Sequence, residues 1–333
     1  MEKVINRRVR KTRYSMVIKK MHKYILCSIF LLLLAFASCT TGKKNDQTKT
    51  GFIGGQNGIT TTLDIASGKL NEVLDNDLED FQINLNVENK GEYPIKENDI
   101  LATITGVDYR SFSLTNPSLK NVEALDKIRQ EQGKILPGGQ TVLSFPANFA
   151  DDLPVDQSYD LGVNVCYKYQ TGATANMCLR KEATKRGEAT DKCKIDETKA
   201  VGSSAAPLQV TSLSQRPTGK NEISFTLTIE NVGKGDVYLP TFVQNTQCLE
   251  KQDMKNKFDV AVSFPSNRPA ITCSALKGLN HGTLQLIQGK ITMTCKMDTS
   301  QEQETTFTRS PSIQLDYTYK DIVSKKITVK NAA

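Results

Sequence analysis

The residues of this 333-residue chain whose types could do chemistry are eight cysteines, two histidines and one short acidic run. Six cysteines, Cys166, Cys178, Cys193, Cys248, Cys273 and Cys295, follow the leader, and an even set in an exported chain reads as disulfides. Zinc is the rival use, and it is disfavoured because no C-x-x-C spacing occurs and His281 is the only histidine beyond the leader. A Ser-His-Asp or Cys-His arrangement would need that same His281. Its setting, Gly278-Leu-Asn-His-Gly-Thr283, is a turn with no G-x-S-x-G nearby. The run Asp75-Asn-Asp-Leu-Glu-Asp80 alternates carboxylates like a calcium loop but lacks the glycine and terminal glutamate such a loop needs, so it reads as a solvated turn. Asp151 and Asp152 sit just before Pro154 in another turn, and no phosphate-cradling glycine motif occurs. The expectation is a chain with no catalytic residue, no metal ligand and no cofactor.

The elements that must position these residues are announced by a phrase that occurs twice. Phe81-Gln-Ile-Asn-Leu-Asn-Val-Glu-Asn-Lys-Gly91 returns as Ile223-Ser-Phe-Thr-Leu-Thr-Ile-Glu-Asn-Val-Gly233, 142 residues later. Four alternating apolar residues predict a half-buried strand, and Asn with Gly predicts the turn that ends it. A second pair agrees, since the segment 159–179 around Tyr167 and Tyr169 matches the segment 312–329 around Tyr317 and Tyr319, 150 residues on. Each is expected to fold as a local hairpin, the first pairing Tyr169 with Ala175 and Tyr167 with Met177, the second pairing Tyr317 with Ile327. Parity sends the tyrosines to the core rather than to a sugar-binding platform. A repeat of this length is a tandem duplication, not a solenoid of roughly 20 to 50 residues per unit.

Charge is uneven along the chain. Nine of the 43 lysines and arginines precede Cys39, against the single acid Glu2, and the remainder carries 34 basic and 35 acidic side chains. The net charge of +7 therefore belongs to the leader, and the body offers no basic patch for nucleic acid. Residues 1–38 read as a secretory signal peptide, with an apolar core from Tyr24 to Ala37 too short for a comfortable span. Its end, Ala37-Ser38-Cys39, resembles the lipobox of lipoproteins, with Phe36 where Leu is usual, which implies lipid on Cys39. An uncleaved anchor over 24–41 is the other reading, and Met16 or Met21 could be the start. Residues 39–58, rich in Thr, Lys, Asn and Gln, are expected to be a flexible tether.

The body divides, on this reading, into a β-sandwich over 59–182, a charged linker over 183–203 and a second β-sandwich over 204–331. Many short strands with Gly and Pro turns support an all-β class. A short amphipathic helix is expected within 117–133, from Leu119, Val122, Leu125 and Ile128, and a hairpin over 283–295, turning at Gln288-Gly289. The order of strand, Asn-x-Gly, Pro137-Gly-Gly turn and tyrosine segment resembles the CARDB-type immunoglobulin-like domain of prokaryotic surface proteins. The lipobox, Cys166-Tyr-Lys-Tyr-Gln-Thr171, Ala206-Pro-Leu-Gln-Val-Thr211 and Leu315-Asp-Tyr-Thr-Tyr319 are together similar to uncharacterised lipoproteins of small-genome archaea. The resemblance implies two tandem immunoglobulin-like sandwiches on the outer face of the membrane or cell surface, and implies no activity.

Fifteen pairings of the six cysteines are possible. The expected hairpin sets Cys166 opposite Cys178, while Cys273 and Cys295, each after an apolar-Thr pair, suit neighbouring strands. Cys193 and Cys248 remain, and their bridge would fix the two domains; Cys193 with Cys178 would instead keep the bridge local. The expected function is a non-enzymatic surface lipoprotein whose two domains act as spacer, adhesion or envelope-assembly modules. The alternative is a lipoprotein that binds a glycan or peptide in the cleft between domains. The expected partners are the membrane, through the lipid anchor, and an envelope protein or glycan, with no nucleic acid.

Overall fold

A computed structural model describes residues 51–185, 191–242, 248 and 250–332. The expected signal peptide, Cys39 and the first part of the expected tether lie outside the described residues. Within the described residues the chain is all-β, with twenty-one strands and two short 3-10 turns. The first half supplies β1 (Ile59–Ala66), β2 (Glu72–Leu74), β3 (Phe81–Asn89), β4 (Ile100–Thr105), β5 (Ser118–Lys120), β6 (Arg129–Glu131), β7 (Lys134–Leu136), β8 (Gln140–Ala147), β9 (Gln157–Ala175) and β10 (Met177–Leu179). Next come β11 (Glu197–Lys199) and β12 (Val201–Ser203). The second half supplies β13 (Leu208–Gly219), β14 (Glu222–Asn231), β15 (Asp236–Tyr238), β16 (Lys257–Ser263), β17 (Ile271–Cys273), β18 (His281–Gln285), β19 (Lys290–Asp298), β20 (Phe307–Arg309) and β21 (Ser312–Lys330).

The repeated phrase forms equivalent strands. β3 is the middle of a three-stranded sheet ordered β1-β3-β8, and β14 holds the same place between β13 and β19 in a sheet ordered β11-β13-β14-β19-β17. Ile83, Leu85 and Val87 are fully buried, as are Ile223, Leu227 and Ile229, because period-2 alternation sends them all to one face.

The tyrosine segments are not hairpins. β9 and β21 are each nineteen residues long and pair antiparallel with one another from Ile313↔Ala173 to Val329↔Gln157. Tyr167 lies opposite Tyr319 and Tyr169 opposite Tyr317, so each strand pairs with its own repeat about a local two-fold axis through Lys168↔Thr318. A local hairpin and this long-range pairing bury the same parity, so alternation alone could not separate them. Gly172, midway between Tyr169 and Ala175, lies within β9, with the Phe52 ring against it.

The pairing joins the halves in one nine-stranded sheet ordered β18-β16-β21-β9-β4-β5, with β2, β12 and β15 alongside. Residues 48–333 accordingly form one compact unit, and one hydrophobic cluster runs from Ile59 to Val329. Residues 183–185 and 191–203 are built into this unit. Ala183, Ile195 and Lys199 are buried, β12 extends β9 and β11 extends β13. The tether's end is docked too, since Lys90 N–H donates to Gly58 O and Ala206 N–H to Gly55 O.

Two local expectations also give way. The segment 117–133 is not helical, because Asn121, off the supposed apolar face, is fully buried: its amide donates to Lys96 O and Glu123 O and accepts from Ile100 N–H, while Val122 is 76% exposed. The chain does turn at Gln288-Gly289, but β18 then pairs with β16 in the shared sheet and β19 with β14 in the smaller one. That turn crosses between layers.

The disulfides are Cys166–Cys248, Cys178–Cys193 and Cys273–Cys295, with Cα atoms 5.8, 5.7 and 4.0 Å apart. Cys166 does not meet Cys178, because without a hairpin the two lie twelve residues apart along extended chain, and Cys193 is not bonded to Cys248. The halves are still bridged, by Cys166 on the face of β9 that Phe242, Cys248 and Met254 cover. Chain entropy assigns roughly 4 to 5 kcal/mol to this bridge of 82-residue separation and about 3 kcal/mol to Cys178–Cys193, 15 residues apart. Urea unfolding of C166A/C248A is therefore expected to show the larger loss of the two paired variants. An equal or smaller loss than C178A/C193A would mean that Cys248 and its neighbours Phe242 and Met254 need no covalent tie.

Candidate functional site at the junction of the two halves

Both turns that end the repeated strands are built by asparagine. Asn89 Nδ2 donates to Tyr93 O at 2.8 Å and its Oδ1 accepts from Gly91 N–H at 3.1 Å; Asn231 does the same with Gly235 O at 2.7 Å and Gly233 N–H at 3.2 Å. Each Asn N–H is taken by the carbonyl of an equivalent turn glycine, Gly139 or Gly289. The side chain thus satisfies the backbone where the ladder stops.

Each turn receives a tyrosine from the junction. The Tyr169 hydroxyl accepts from Tyr93 N–H at 3.4 Å, and the Tyr319 hydroxyl accepts from Gly235 N–H at 2.8 Å and bonds Asn231 Oδ1 at 3.2 Å. A methyl group on Gly91 or Gly233 would overlap those hydroxyls, so the glycines are required for space. Tyr167 bonds the backbone of Ile59, and Tyr317 bonds Thr171 Oγ1 at 3.0 Å and Leu208 N–H at 3.5 Å. The four rings meet with Tyr167–Tyr319 centroids 5.7 Å apart and Tyr169–Tyr317 6.1 Å apart. They are at most 2% exposed, so the place where a ligand cleft was expected is filled by side chains.

Two devices lock the junction from outside. Glu92 accepts from Ile53 N–H, Gly54 N–H and Ala205 N–H at 2.8 to 2.9 Å, clamping the chain's incoming segment to the start of the second half. On the opposite face of the shared sheet, Leu101, Cys166, Tyr238, Phe242, Cys248 and Met254 form a second cluster, with Tyr238 and Phe242 stacked at 4.0 Å.

The remaining sequence candidates are scattered. His281 is exposed at the start of β18, its Nδ1 3.1 Å from Asn280 Oδ1. Asp75 is buried and structural, accepting from Leu153 N–H and Ala332 N–H, while Glu79 accepts from Gly68 N–H and Leu74 N–H. Asp151 and Asp152 are solvated at a loop. No group of three metal-ligating side chains occurs among the described residues. A cavity of about 640 Å³ lies by Cys193, with Arg180 and Asp191 in its wall, but Arg180 is already bound to Glu182 O, Lys185 O and Asp191. Glu92 was missed in sequence; its one signal is a lone acid beside the Asn-x-Gly turn, where the second copy has Lys234.

No family model and no curated protein matches the sequence. Among solved structures, the secreted serine protease VesC from Vibrio cholerae is 12% identical with a TM-score of 0.16, over 77% of this chain and 51% of that one, so this chain spans about half its length. The serine-rich repeat adhesion glycoprotein Srr1 from Streptococcus agalactiae is 8% identical with a TM-score of 0.17, over 82% of this chain and 96% of that one. A triple jelly-roll protein of an archaeal virus turret is 10% identical with a TM-score of 0.12, over 79% and 90%. These likenesses are too slight to carry fold or function.

Burial raises the phenols of Tyr167, Tyr169, Tyr317 and Tyr319 above their ordinary value of 10.0. The unfolded chain then loses these protons first, so the contribution of these tyrosines to stability is fully present below pH 10 and is lost as pH rises beyond it. In an alkaline titration followed at the tyrosinate absorbance, these four are expected to ionise only together with unfolding. Early, reversible ionisation of all ten tyrosines in the folded protein would contradict a sealed junction. Separately, G91A and G233A are each expected to cost about 3 kcal/mol or more by overpacking, with Y169F and Y319F relieving part of the clash at their own glycine only. Full-strength folding of either glycine variant in urea titration would remove the socket from the account.

Proposed function

We propose that this chain is a non-enzymatic cell-surface lipoprotein in which two immunoglobulin-like β-sandwich halves, fused back to back, serve as a rigid spacer or envelope-assembly module. The observation that carries this reading is the antiparallel pairing of β9 with its own repeat β21. A duplication whose copies share a sheet resists bending at the joint, because rotation of one half would break ladder hydrogen bonds rather than flex a linker. Glu92 supports the same role, since a chain entering from residue 51 onward is fastened to both halves before the first strand begins. Chemistry-bearing side chains at the junction are engaged in holding it. The leader motif at Ala37-Ser38-Cys39 and disulfides in every described cysteine pair support export and an anchor on Cys39.

The anchor is tested in cells by incorporation of an alkyne-labelled fatty acid and by intact mass. The wild type is expected to carry label and begin at Cys39, and C39S to be unlabelled and either released or left as full-length precursor. An unlabelled wild type, or C39S with unchanged mass and membrane retention, would overturn the lipoprotein reading.

A further inference from the structure

The two halves differ at one edge. In the second half, the outer edge of β19 is covered by β17, which pairs antiparallel through Ile271↔Met297, Thr272↔Lys296 and Cys273↔Cys295. In the first half, β8 holds the place of β19, and among the described residues no strand pairs with its outer side. The cause is chain length. Residues 264–280, between β16 and β18, are long enough to include β17, whereas residues 106–117, between β4 and β5, are shorter. The shorter link instead sends Phe112 into the core against Phe149 and Tyr159.

The vacant edge has a defined polarity. Asn89 N–H donates to Gly139 O, which sets the odd-numbered residues of β8 bonding toward β3 and turns the N–H and C=O groups of Gln140, Val142 and Ser144 outward. Pro146 agrees, because an edge strand carries proline with its missing donor on the open side. From Gln140 to Ala147 the strand holds no charge, and Val142 is 51% exposed. Natural edges are blunted by charges, extreme shortness or cover. The terminal strands β5, β11 and β17 have three residues each, and Asp64 on β1 is held by Lys325 at 3.1 Å. β8 has eight residues and, apart from Pro146, none of these protections.

We propose that β8 is a docking edge and that its occupant is β8 of a second copy of this chain, paired antiparallel about a two-fold axis. The second half shows that this position accepts an antiparallel strand. A two-fold axis generates that direction automatically, and an uncharged strand meets its own copy without like-charge repulsion. The chain already uses self-pairing of this kind once, where β9 meets its own repeat. An edge of this length makes a small interface, so the dimer is expected to dissociate at concentrations on the order of micromolar rather than to be permanent.

The test is sedimentation equilibrium of the full chain in mild detergent, with detergent mass subtracted, on the wild type, V142K and S144P. Val142 points to solvent and the Ser144 N–H faces the open side, so both variants are expected to keep the wild-type melting temperature. If S144P melts early, V142K and S144K carry the comparison. The wild type is expected to pass from monomer to dimer as concentration rises, and the variants to need about tenfold more protein or beyond. A wild type that stays monomeric to roughly 200 micromolar, well above the range expected for a small interface, would overturn the proposal. So would a dimer or larger assembly that folded edge variants leave unchanged, since association would then run through the leader or another surface.

Discussion

The antiparallel ladder between β9 and β21 is the constraint on which the rest of the molecule depends. Its register is set by burial: a slip of one residue would turn Val163, Val165, Tyr167 and Tyr169 out of the core, away from the face that Tyr319 and Tyr317 hold opposite the two tyrosines. With register fixed, the Lys168↔Thr318 pair becomes the centre about which the halves are arranged. The rest of the junction follows from that centre. Tyr169 and Tyr319 fall against the turns at Gly91 and Gly233, and those turns need asparagine at 89 and 231 to satisfy the backbone they end.

Besides the uncovered edge of β8, symmetry is broken where each half meets a different neighbour. Glu92 faces the incoming segment, and lysine stands at the equivalent position, Lys234. Cys248 of the second half is bonded to Cys166 in the first, and Tyr238, Phe242 and Met254 gather with them on the side of the shared sheet that no smaller sheet covers among the described residues. This cluster is small compared with the main core, and the disulfide constrains it where packing alone would hold it weakly.

Strand existence and facing were legible because period-2 alternation is strong in Phe81–Asn89 and Glu222–Asn231, and the turn asparagines were legible by type. Pairing was not. The tyrosine segments carry one parity whether each folds on itself or on its repeat, and only the tertiary structure distinguishes a local hairpin from a nineteen-residue strand. The same ambiguity misassigned Cys166 and Cys248, whose partners depend on which strand runs past which, while Cys273 and Cys295 lie on strands β17 and β19 that are direct neighbours. The stretch 183–203 looked like a linker because its charges conceal few apolar residues, yet two strands and the buried alkyl chain of Lys199 tie it down. The leader was read from its charge and apolar core, and Cys39 from the resemblance of Ala37-Ser38-Cys39 to a lipobox.

Native-state hydrogen exchange of the β9 and β21 amides tests the shared ladder most directly. If the two halves are held as one cooperative unit, amides around Lys168 and Thr318 exchange only through global opening, with one common free energy and the same denaturant dependence on both strands. If β9 amides instead exchange through an opening that leaves β21 protected, or the reverse, each half is stable without the other and the ladder is not what unites them.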